Sequence, residues 1–92
     1  MEAVDWLLRA ERDLEAARRL LEPEPPLSDV AVYHAQQAAE KALKAFLTSH
    51  RRPVRKTHDL VALLAECIAL DQRFSQFLGA AQTLGPYATQ FR

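Results

Sequence analysis

Tyr33-His34-Ala35-Gln36-Gln37-Ala38-Ala39-Glu40-Lys41-Ala42-Leu43-Lys44-Ala45 contains neither glycine nor proline, and its small apolar residues recur three and four apart. That spacing is the period of an α-helix. Followed outward in both directions, the pattern predicts a helix from about Asp29 to Ser49. At about 100° per residue, Ala31, Val32, Ala35, Ala38, Ala39, Ala42, Leu43, Ala45 and Phe46 share one broad arc. Alanine lets neighbouring helices approach closely, so this helix is expected at the centre of a bundle. Tyr33, Gln37, Glu40, Lys41 and Lys44 fall on the other side.

The rest of the chain arranges itself around that helix. Ala3, Leu7, Ala10, Leu14, Ala17 and Leu21 form an apolar stripe, which predicts a first helix from Ala3 to Leu21. Pro23, Pro25 and Pro26 end it, and Ser28 or Asp29 is suited to cap the next. The basic stretch His50-Arg51-Arg52-Pro53-Val54-Arg55-Lys56 reads as a loop. Thr57 is the expected N-cap of a third helix, with Asp59 in its first turn and Leu60, Leu63, Leu64, Cys67 and Ile68 buried. Asp71 is suited to open a fourth helix through Phe74, Phe77, Leu78 and Ala81, which Gly85-Pro86 breaks. An irregular tail from Tyr87 to Arg92 follows. The fold class is all-α, an up-and-down four-helix bundle that lacks or precedes a fifth, C-terminal helix. Residues 1–92 make a single domain.

Composition narrows the function. Twelve Lys and Arg balance twelve Asp and Glu, so any nucleic-acid contact must be local. A lone cysteine, Cys67, excludes an internal disulfide and argues against secretion. No apolar run approaches the roughly 20 residues of a membrane span. Met1-Glu2-Ala3-Val4-Asp5-Trp6 lacks the basic and apolar character of a signal peptide. A cytoplasmic protein that contacts no membrane is expected. His34, His50, His58 and Cys67 are not spaced as zinc ligands, and no glycine-rich phosphate loop occurs, so neither metal nor cofactor is expected.

The Tyr33–Ala45 stretch resembles the signature helix of the HEPN family, the nucleotide-binding domain of higher eukaryotes and prokaryotes. Lys56-Thr57-His58-Asp59-Leu60 is similar to that family's Thr-His-Asp/Ser-Leu opening of the third helix. Leu84-Gly85-Pro86-Tyr87, with Arg92 five residues after the tyrosine, resembles its C-terminal signature, which ordinarily runs on into a further helix. The resemblance implies a helical bundle, often a homodimer, frequently partnered by a minimal nucleotidyltransferase in a toxin–antitoxin-like pair. It also implies one of two working modes. Some members are metal-independent ribonucleases with an Arg-x(4–6)-His motif, and others are non-catalytic binding modules.

Two constellations carry the candidate chemistry. His34, Gln37, Lys41 and Lys44 line one flank of the second helix, as a polar groove for nucleotide or as a solvated surface. The resemblance adds Tyr87 and Arg92, expected near the same flank, where an aromatic ring can stack a base and a guanidinium can hold a phosphate. Glu40 and Lys44, four apart, read as a surface ion pair. In the basic loop, Arg52 stands six residues before His58, the Arg-x5-His pair of the ribonuclease alternative. There His58 would act as general acid or base and Arg52 would stabilise phosphorane charge. In a pure binder, His58 turns back to the backbone or the second helix and Arg52 points to solvent. Three readings follow: a nucleotidyltransferase-partnered binding module that contacts nucleotide or RNA, a ribonuclease toxin using Arg52 and His58, and a structural dimerisation domain. The first is preferred.

Overall fold

Ala3, Ala10 and Ala17 recur at seven-residue intervals, as do Ala31, Ala38 and Ala45. The computed structural model describes residues 1–89, and it puts the first set on α1 (Ala3–Leu20) and the second on α2 (Ser28–Ser49). Seven residues are close to two turns, so each set keeps one face. Ala10, Ala17, Ala31, Ala38 and Ala45 are buried along the seam of this hairpin. α3 (Leu60–Leu70) and α4 (Leu78–Leu84) complete a four-helix, all-α architecture. No strand occurs among the described residues.

The caps differ in part from expectation. The Asp5 carboxylate accepts the Glu2 N–H at 3.0 Å at the start of α1. α2 begins at Ser28 itself, with Leu27 as N-cap and no side chain capping it. At α3 the N-cap is Asp59, not Thr57: Asp59 accepts the Ala62 N–H at 3.0 Å, and the Thr57 hydroxyl accepts the Asp59 N–H at 3.1 Å. The two side chains act in succession, the carboxylate capping the helix and the hydroxyl holding the residue that caps it. α2 ends in a Schellman arrangement: Arg51 N–H reaches Thr48 O, and Arg52 N–H reaches Leu47 O, both at 2.9 Å. Arg51 is left-handed, with φ 58°, where glycine is usual.

The predicted fourth helix is divided. Asp71 does cap, accepting the Arg73 N–H at 3.0 Å, and the Arg73 side chain holds its carboxyl down at about 2. Residues Gln72–Phe77 form a 3-10 helix before α4 starts. Side chains three apart eclipse in that geometry, which sets Phe74 and Phe77 side by side with ring centres 6.2 Å apart. Phe74 then packs on Phe46 at 4.5 Å. Gly85–Thr89 is a second 3-10 turn rather than irregular tail.

Leu47, Leu63 and Cys67 form one buried cluster, and Leu60, Leu64 and Ala81 another, with Leu43 and Phe74 packed against both. Burial, and then Glu66, push the Cys67 thiol up to about 11, so it is core.

α2 corrects the expected division into faces. Ala31, Ala38 and Ala45 are buried, but Ala35, Ala39 and Ala42 are not. They floor an apolar trough with Leu7 and Leu14 on one bank and Leu84 on the other. Gln37, Glu40 and Lys44, on the side expected to be polar, are buried instead, together with Gln36. No helix among the described residues is long and apolar enough to cross a membrane.

Candidate functional site

Gln36, Glu40 and Lys44 are four apart on α2, one above the other. Gln37 Nε2 donates to Gln36 Oε1 at 2.7 Å, and Gln36 Nε2 donates to Glu40 Oε2 at 3.4 Å. Lys44 Nζ donates to Glu40 Oε1 at 2.8 Å. The Glu40–Lys44 pair is therefore buried, not the surface pair the spacing suggested, with side chains only 4% and 8% exposed. Trp6 of α1 covers it, its ring centre 5.3 Å from Lys44 Nζ. Burial pushes the Glu40 carboxyl up, but the Lys44 ammonium and His58 outweigh it, so the group is held below its ordinary value of 4.5.

His58 joins this cluster from the loop before α3. Its Nδ1 lies 3.0 and 3.2 Å from the two Glu40 oxygens. An ionised carboxylate only accepts, so Nδ1 carries the proton and Nε2 is the ring nitrogen turned from the acid. His58 is thus turned back onto the second helix, the orientation expected of a binder, with 44% of its side chain still exposed.

Arg52 is elsewhere. It lines a small cleft with Leu47, Glu66 and Ala69, which His58 does not line. Arg55 of the basic loop pairs with Glu66 of α3 at 3.1 Å.

His34 and Lys41, seven apart on α2, meet Asp13 of α1. His34 Nδ1 is 2.9 Å from one Asp13 oxygen, and Lys41 Nζ donates to the other. Asp13 is only 12% exposed. A groove lined by Arg9, Arg12, Asp13 and Lys41 opens here. The single flank read from sequence is therefore two sites: His34 and Lys41 on Asp13, and Gln37 and Lys44 in the Glu40 network. Tyr33 stands edge-on to His34, ring centres 5.4 Å apart. Tyr87 is half-buried in the Gly85–Thr89 turn, which packs on α2, and it does not line the Arg9–Lys41 groove. Arg92 lies outside the described residues.

Sequence reasoning missed Asp13, Gln36 and Trp6, and misread Glu40. Asp13 sits three residues after Ala10, at the edge of the α1 seam, and that position was the available signal. Among the described residues, no three His, Cys, Asp or Glu side chains gather to hold a metal.

The family model described as HEPN domain matches residues 3–92. No curated protein and no solved structure matches the chain. The match spans both histidine clusters and all four helices, and the chain belongs to the HEPN family, a family of nucleotide-binding or ribonuclease-like modules.

Proposed function

We propose that the chain is a non-enzymatic binding module that contacts nucleotide or RNA and works beside a minimal nucleotidyltransferase in a toxin–antitoxin-like pair. The observation that carries this reading is the position of His58. Its Nδ1 is engaged by a buried carboxylate that also carries Lys44, and Arg52 lines a different cleft with Glu66. A phosphodiester-cleaving pair needs its acid–base and its cation on one phosphate. Here the loop's side chains instead dock it: His58 onto α2 and Arg55 onto α3. The molecule acts as a homodimer, with the trough over Ala35, Ala39 and Ala42 covered by a second copy.

One feature favours the ribonuclease alternative. A carboxylate on Nδ1 is also how a general-base histidine is oriented, with Nε2 presented outward. The two readings separate on RNA. Incubated at low salt, the unmodified protein leaves RNA intact, as do His58→Ala and Arg52→Ala. Cleavage by the unmodified protein that both folded variants lose would establish the enzyme.

A further inference from the structure

We infer that the groove between α1 and α2 at Arg9, Arg12 and Lys41 is a binding site for a terminal phosphate group. The groove encloses about 320 Å³. By formal charge, three cations face one carboxylate there, Asp13, and that carboxylate is already occupied by Lys41 and His34. Asp13 fixes the two α2 side chains against α1 and leaves the excess positive charge to the arginines.

Arg9 and Arg12 have no ion pair or side-chain hydrogen bond among the described residues, and both are exposed. The other α1 arginines near an acid are paired: Arg18 and Arg19 both hold Glu15. Asp5, one turn before Arg9, accepts the Glu2 N–H. Two unpaired guanidiniums one turn apart, about 4.5 Å along the helix, are suited to an anion with oxygens on several sides.

Charge selects the anion. A phosphate monoester carries about −1.5 to −2 at neutral pH, which balances the two arginines. A carboxylate or an internal phosphodiester carries one charge and leaves the site half neutralised. The ligand is therefore a terminal phosphate, as on a nucleotide or on a 5′-phosphorylated RNA end. That the phosphate is attached to a nucleoside rests on the function proposed above; the phosphate site does not.

Calorimetric titration tests it, with a nucleoside 5′-monophosphate, inorganic phosphate, and a short RNA with and without a 5′-phosphate. Arg9→Gln/Arg12→Gln is compared with Arg18→Gln/Arg19→Gln, which makes the same change of charge two turns away. The expected result is nucleotide binding weakened at least about tenfold by the first pair and unchanged by the second. RNA with a 5′-phosphate is expected to bind more tightly than RNA with a 5′-hydroxyl, and equal binding of the two would overturn a terminal phosphate as what the groove recognises on RNA. Inorganic phosphate binding as tightly as nucleotide, and lost in the same variant, would keep the phosphate site and remove the nucleotide reading. Nucleotide or RNA binding that Arg9→Gln/Arg12→Gln leaves untouched would overturn the phosphate site while the binding module stands. No binding of any phosphate at millimolar concentration would also overturn it.

Discussion

Glu40 sets the terms for three other side chains. Lys44, His58 and Gln36 all direct a nitrogen at its two oxygens. Removing one partner of a buried charge pair leaves the other uncompensated, and such losses run to about 3–5 kcal/mol. Glu40→Ala is therefore expected to lower stability by about 3 kcal/mol in urea denaturation, with His58 released from α2. A loss under about 1 kcal/mol would mean that Lys44 finds water easily. The acid limb follows from the same contacts. A carboxyl held below 4.5 in the folded state contributes stability fully above pH 4.5, and that contribution disappears as pH falls through the lower folded value. Glu40→Gln should flatten the loss of urea midpoint as pH falls below about 4.5. An acid limb as steep as the unmodified protein's would assign it to other carboxyls.

At the scale of elements, helix identity was legible, and so was the buried face of α3 at Leu60, Leu63, Leu64 and Cys67, but the faces of α2 were not. The three- and four-residue recurrences located α1, α2 and α3 to within a residue or two, because periodicity is local. The fourth helix was read as one element because Asp71 and its apolar residues satisfy helical spacing. In its 3-10 opening, Phe74 packs on Phe46 across the bundle, a contact that local spacing does not contain. α2 shows the same limit. Its polar residues pair with one another along the helix, Gln37 to Gln36, and Gln36 and Lys44 to Glu40, but Trp6 of α1 and His58 of the loop, which cover them, lie outside any single-helix projection. The Glu40–Lys44 spacing was right, but burial could not be read from it. The end of α2 offers a direct check, since Arg51 occupies a left-handed position that costs a side-chain-bearing residue about 1 kcal/mol. Arg51→Gly should raise stability by roughly that amount, seen as a melting temperature higher by about 4–8 °C. An unchanged or lower melting temperature would show that Arg51 makes compensating contacts.

The whole molecule has a polar side and an apolar side, one on each flank of the alanine seam. On one lie Asp13, His34 and Lys41, then the Glu40 network. On the other, Leu7 and Leu14 look onto Ala35, Ala39 and Ala42. Leu7 and Leu14 are about half exposed, at 48% and 51%. A second copy is expected there, so light scattering at micromolar concentration should give twice the 10.4 kDa chain mass, and Leu14→Glu should return the monomer. A monomer mass for the unmodified protein would contradict the dimer. The breadth of the alanine arc on α2 was legible in the sequence. The sequence did not reveal that the groove on the polar side is completed by α1, because His34, Lys41 and Asp13 meet only after the hairpin closes.

In the function proposed above, nucleotide binds in the α1–α2 groove and the His58 loop is a structural dock. Amide-resolved NMR titration with a nucleoside 5′-monophosphate tests it most directly. The shifts should concentrate at Arg9, Arg12, Asp13, His34 and Lys41 and leave Arg52 and His58 in place. Shifts centred on Arg52 and His58, with the Arg9–Lys41 groove silent, would contradict the account and move the site to the basic loop.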